Sequence, residues 1–154
     1  MKKILFVVII AFVFSCKERK IEPVKKVLKT ENAFGFVEIP ALDLQASILF
    51  YEKVFGYKFT IEKIDGNDMA FFPMDEFSKG INGALVSGKT YKPSATGTLI
   101  YMNCKNIDNT MKLIVDNGCK IYYPKTSIGE MGFVAEFIDV AGNRVALHQD
   151  KNPK

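Results

Sequence analysis

The chain carries one histidine, no tryptophan and three cysteines that form no Cys-x-x-Cys pair. One imidazole is too few for a histidine-built metal site, and the cysteine spacing excludes a zinc ribbon and a thioredoxin-like redox pair. No Gly-x-Ser-x-Gly elbow is present, which removes the serine-hydrolase chemistry built on it. Long apolar runs are scarce: the one from Ile4 to Phe14 is shorter than the ~20 residues a membrane-spanning helix needs. Positive charge is scarce where it would matter most. The formal charge is +4, yet from Asn32 onward thirteen basic residues face fourteen acidic ones. A nucleic-acid binder needs a concentrated basic surface to displace counterions, so nucleic acid is excluded as a partner of this region.

What is present is a repeat. Asp43 can cap a helix whose apolar stripe is Leu44, Ile48, Tyr51 and Phe55, at i, i+4, i+7 and i+11, with Gly56 as its stop. A weaker copy has Asn106 as cap, Ile107, Met111 and Ile114 as stripe, and Gly118 as stop. Strands are predicted over Tyr57 to Ile64, Met69 to Pro73 and Ala84 to Ser87 after the first helix. The second set is Thr98 to Cys104 before its helix, then Lys120 to Tyr123, Gly132 to Asp139 and Arg144 to Gln149. Each half therefore reads β-α-β-β-β, which gives an α+β fold of two modules, about 34–88 and 96–149, within one domain at 32–150 and a tail at 151–154. Cys104 and Cys119 would lie at opposite edges of one sheet as buried or half-buried thiols with no bridge between them.

The N-terminal segment has a different character. Lys2 and Lys3, the apolar run and Ser15 form the layout of a signal peptide over residues 1–15. Val13-Phe14-Ser15-Cys16 resembles a bacterial lipobox, which implies cleavage before Cys16, a lipid on that cysteine and anchoring in the cell envelope. Residues 16–31 follow as a charged tether with six basic and three acidic residues.

Ile39-Pro-Ala-Leu-Asp43 leading into Phe50-Tyr51 and Phe55-Gly56, with Asp139-x-x-Gly142-Asn143-Arg144 near the end, resembles the vicinal oxygen chelate superfamily. That superfamily includes glyoxalase I, bleomycin-resistance proteins and extradiol dioxygenases. The resemblance implies two curved four-stranded sheets around a central pocket, and metal ligands on the first and last strands of each module, pointing into that pocket. Here those positions hold Phe36, Leu99 and Ala146, with only apolar choices from Ala84 to Val86. No metal and no cofactor is therefore expected, and Phe36, Leu99, Tyr101 and Ala146 are expected to line an apolar pocket.

Strand alternation puts Glu38 on the face of Phe36 and His148 on the face of Ala146, making them the candidate acid–base pair. Glu136, Tyr101, Asn103 and Tyr122 are weaker candidates. The expected function is small-molecule binding by a membrane-anchored protein. The alternatives are a metal-independent lyase or isomerase using Glu38 and His148, and a structural or partner-binding lipoprotein. A homodimer stays open.

Overall fold

Both predicted caps are made. Asp43 accepts from the backbone N–H of Ala46 at 3.0 Å and starts α1, Leu44–Phe55, which Gly56 ends in the left-handed region at φ 74°. Asn106 accepts from the N–H of Asn109 at 2.9 Å and starts α2, Ile107–Asp116, with Gly118 again left-handed just beyond it. The computed structural model describes residues 33–74 and 80–152. The segments expected to be a signal peptide and a tether, with Cys16 between them, lie outside the described residues.

Eight strands complete two β-α-β-β-β modules: β1 Phe36–Pro40, β2 Thr60–Ile64, β3 Asn67–Phe71 and β4 Asn82–Ser87, then β5 Ile100–Asn103, β6 Lys120–Ser127, β7 Phe133–Ile138 and β8 Arg144–Gln149. The first sheet has the order β1-β4-β3-β2 and the second β5-β8-β7-β6, so the strand before each helix pairs in parallel with the last strand of its module. This is the expected α+β architecture. β5 and β6 are opposite edges of their sheet, and Cys104 and Cys119 beside them are free and half-buried.

Local chemistry fixes the registers. Ile64 pairs with Asn67 across the two-residue turn Asp65-Gly66, whose φ values of 49° and 77° give the mirror-image turn that suits strand twist. Gly83 pairs with Val37, and a Cβ there would sit 2.6 Å from the Val37 carbonyl oxygen. Only glycine lets β1 approach β4 this closely.

The core joins the modules. One cluster of buried residues takes Ile39, Ala70 and Leu85 from the first sheet, Ala135, Phe137, Val145 and Leu147 from the second, and Ile48, Tyr51, Ile107 and Ile114 from the helices. Phe50 of α1 meets Phe137 of β7 at 5.9 Å between ring centroids, so the first helix packs on the second sheet as well as its own. Because side chains alternate along a strand, the other face of each sheet points away from this shared core. In the first sheet that face holds Met69, Ala84 and Val86 under Phe71 and Tyr91. In the second it holds the row Tyr101, Ala146 and Glu136 and the row Asn103, His148 and Val134.

Candidate functional site

A cavity of about 630 Å³ lies between the two modules, where β1 and β5 face one another. Its walls are the core-facing side chains of these strands, Val37 and Ile39 on one side and Ile100 and Met102 on the other, closed by Tyr57, Phe72 and Ile81. Phe72 and Tyr57 meet edge to face at 5.7 Å, and Tyr57 stacks on Phe55 at 5.3 Å. These rings make a rigid aromatic wall. Polar groups are few: Tyr57, Asn82, Thr98 and Asn103 are among the lining residues, and no described lining residue is charged. Burial raises the Tyr57 phenol, with the neighbouring Cys104 thiol adding to it, so this hydroxyl stays a neutral hydrogen-bonding group.

Of the four expected pocket residues, Leu99 and Tyr101 line the cavity. Phe36 and Ala146 do not. Phe36 contacts Phe71 on the outward face of the first sheet at 6.0 Å, and Ala146 is fully buried between Tyr101 and Glu136 on the outward face of the second. Tyr57, Phe72, Val37, Ile100 and Met102 were not expected as lining residues. The alternation of Tyr57 with Phe59 and the doublet Phe71-Phe72 are the sequence signals that mark part of that wall.

Glu38 and His148 have separate partners. Glu38 accepts from the Tyr91 hydroxyl at 2.9 Å, and this bond is the main cause raising the Tyr91 phenol. Nε2 of His148 lies 2.9 Å from the Met131 carbonyl oxygen, a contact that requires the N–H tautomer at Nε2, and Nδ1 is 3.9 Å from Asp150. No hydrogen bond or ion pair joins Glu38 to His148. Glu136 is engaged by Arg144 at 2.6 Å, and the guanidinium also lies over the Tyr122 ring at 4.8 Å. Glu38 instead borders a second cleft of about 180 Å³, with Lys92, Ser94, Asn143 and Arg144 nearby.

Among the described residues no three His, Cys, Asp or Glu side chains cluster to hold a metal ion. Phe36, Leu99, Ala146 and Val86 offer no lone pairs, so the residues at these positions do not fit a divalent ion. One further pattern, Gly83-Ala-Leu-Val-Ser-Gly-Lys-Thr90, has the spacing of a phosphate-binding loop. Its first five residues belong to β4, with Ala84 to Val86 fully buried, and the next helix starts only at Ile107. Without a helix N-terminus to face a phosphate, the pattern is a strand and its turn.

No family model and no curated protein matches the chain. Solved structures do. A domain from Frankia sp. EAN1pec described as glyoxylase/bleomycin resistance protein/dioxygenase superposes with a TM-score of 0.61 at 15% identity, covering 78% of this chain and 98% of that one. The fold is glyoxalase-like. A glyoxalase I variant from Zea mays gives a TM-score of 0.57 at 18% identity over 75% of this chain and 46% of its own, so this chain spans just under half of that enzyme's length. A variant of the fosfomycin resistance protein FosX from Listeria monocytogenes, complexed with Mn(II) and a dihydroxypropylphosphonic acid, gives 0.56 at 15% identity over 75% of this chain and 90% of its own. At these identities the likeness establishes the glyoxalase-like fold, and the chemistry has to be argued from the cavity.

Proposed function

We propose that this glyoxalase-like chain is a membrane-anchored protein that binds a small molecule in an apolar, metal-free cavity. The observation that carries the proposal is the cavity between β1 and β5, whose 630 Å³ falls within the ~300–1,000 Å³ of small-molecule sites. Covering apolar ligand surface there is worth ~25 cal/mol per Å² before the costs of association. Tyr57, whose phenol stays neutral, supplies a polar group that orients a ligand. The anchor rests on the lipobox-like Val13-Phe14-Ser15-Cys16 and its preceding apolar run.

The test is titration with the environment-sensitive dye 1-anilinonaphthalene-8-sulfonate, beside an Ile100→Trp variant that fills the cavity. The dye should bind the wild type at one site and bind the variant about tenfold more weakly, the loss of ~1.4 kcal/mol. Absence of a saturable site, or equal binding by both proteins, would overturn the proposal. An acid–base enzyme built on Glu38 and His148 is the weaker reading, because each side chain is held by its own partner away from the cavity wall. A purely partner-binding lipoprotein would leave the cavity without a role.

A further inference from the structure

The second cleft carries opposite charges that do not pair with one another. It lies at the Pro40 end of β1, where Glu38 to Pro40 meet the start of β8, and Lys92 to Thr98 of the segment joining β4 to β5 complete its wall. Glu38, Lys92 and Arg144 all border it, yet no ion pair joins the carboxylate to either cation. Oε2 of Glu38 accepts from Tyr91, which packs on Met69, Ala84 and Val86, so the carboxylate is held in place while its Oε1 has no partner among the described residues. The Arg144 guanidinium is matched by Glu136 through Nε. Lys92 has no hydrogen-bond or ion-pair partner among the described residues.

The wall that carries Lys92 is fixed by backbone contacts. The Ser94 N–H donates to Oδ1 of Asn143 at 3.2 Å, the Arg144 N–H donates to the Ser94 carbonyl at 3.1 Å, and the Thr96 N–H donates to the Ser94 hydroxyl at 3.1 Å. Asn143 is itself buried and donates to the Pro40 carbonyl, so both sides of the cleft are tied to one residue. Groups already held in place lose less freedom when a ligand arrives. Ile39, Pro40, Ile100 and Val145 add apolar lining.

We propose that this cleft binds a small zwitterionic amino acid, its ammonium on Glu38 and its carboxylate on Lys92. A simple anion drawn to Lys92 would face the Glu38 carboxylate, and a simple cation drawn to Glu38 would face Lys92 and Arg144, so a ligand of either single sign meets a like charge. A molecule with both signs a few bonds apart meets opposite charge at each end. The cleft's volume of about 180 Å³ equals that of about six water molecules at ~30 Å³ each and falls below the ~300 Å³ where drug-sized sites begin, which restricts the ligand to the smallest amino acids. This site is additional to the larger cavity and does not depend on what that cavity binds.

Isothermal titration calorimetry of the full-length protein in detergent, with glycine, β-alanine, L-alanine, L-serine and γ-aminobutyrate, tests the proposal. At least one should saturate one site per chain with a dissociation constant on the order of 1 mM, within reach of a ligand this small. Its amide, which lacks the carboxylate charge, and its hydroxy acid, which has a hydroxyl in place of the ammonium, should each bind about tenfold more weakly, ~1.4 kcal/mol. Lys92→Met should weaken the amino acid about tenfold and leave the amide unaffected, whereas Glu38→Gln should weaken the amino acid similarly and leave the hydroxy acid unaffected. Such coupling between one ligand charge and one side chain does not arise from a general loosening of the fold. Lys92 has no partner to lose, so K92M keeps the native structure.

No saturable binding by any of the five overturns the proposal. A hydroxy acid that binds as tightly as the amino acid makes the cleft a simple anion site, an amide that does so makes it a cation site, and either result overturns the zwitterion. Equal losses for all three ligands in K92M and E38Q, or no loss in either, place the amino acid elsewhere on the chain and overturn it as well. The dye titration reports separately on the larger cavity, so its failure leaves this result standing.

Discussion

The phenol of Tyr51 donates to Oδ2 of Asp139 at 3.2 Å across 88 residues of chain, with both side chains buried. This bond ties α1 of the first module to the β7–β8 turn of the second. Asp139 also takes the N–H groups of Ala141 and Asn143 on Oδ1, and Asn143 donates onward to Oδ2 and to the Pro40 carbonyl at 2.7 Å. The turn is a clasp at the end of β1, and β1 is one wall of the cavity.

Breaking the clasp should loosen the whole fold. Asp139→Ala leaves buried N–H and O–H donors without an acceptor and should cost ~2–4 kcal/mol in urea unfolding, while Tyr51→Phe, which removes only the hydroxyl, should cost ~1–2. A double-mutant cycle should show coupling between the two positions. Costs below ~0.5 kcal/mol with additive behaviour would mean that this contact is incidental.

Stability should fall on the alkaline side. Burial first, and the Asp139 carboxylate second, raise the Cys119 thiol to about 11, against ~8.5 in an unfolded chain. A folded pKa above the unfolded one gives stability that is complete below the unfolded value and is lost as pH rises through the folded one, because the unfolded state sheds its proton first. Wild-type stability should therefore decline between about pH 8.5 and 11, and Cys119→Ser should flatten part of that slope. An unchanged slope would show that the thiol is freely solvated. The Tyr51 phenol, raised well above its ordinary range by burial and then by Asp139, adds loss in the same direction at higher pH.

Gly83→Ala should cost ~1–3 kcal/mol by overpacking. The new methyl would meet the Val37 carbonyl oxygen at 2.6 Å, so β1 must move away from β4. Because Val37 and Gly83 both line the cavity, dye binding should weaken as well. A neutral effect on both readouts would show that β1 is not held in this register.

Much of the frame was legible because its signals are local. Asp43 with Gly56 and Asn106 with Gly118 mark the helices through caps that need no tertiary contact. Boundaries went astray where packing decides them. Tyr57 is expected to open a strand, but it leaves the ladder to stack on Phe55 and meet Phe72 edge to face, and β2 starts at Thr60. β6 continues past Tyr123 through Pro124 to Ser127, which an edge strand with shifted register tolerates. The cavity was only half legible. Alternation separates Phe36 from Val37, but which face meets the other module depends on how α1 packs against β7, a contact between residues far apart in sequence. The turn pattern Asp139-x-x-Gly142-Asn143 is visible in the sequence, and Tyr51 stands out in both the apolar stripe and the Phe50-Tyr51 motif, but nothing local pairs the two across 88 residues.

Glu38→Gln and His148→Gln should leave dye affinity within about twofold of wild type, less than ~0.5 kcal/mol, since neither side chain lines the cavity. A large loss from either would bring the outward faces back as the binding site. Turnover of a diol or thioester substrate abolished by both changes would favour the acid–base enzyme.

The central claim is that the cavity between β1 and β5 holds an apolar small molecule without a metal. Native mass spectrometry of the full-length protein, gently released from membranes, tests it most directly when wild type and Ile100→Trp are compared. The account predicts a non-covalent adduct of one small organic molecule on the wild type, insensitive to chelators and absent from the variant. An equal adduct on both proteins, or a mass increment of one divalent metal that chelation removes together with stability, would contradict it.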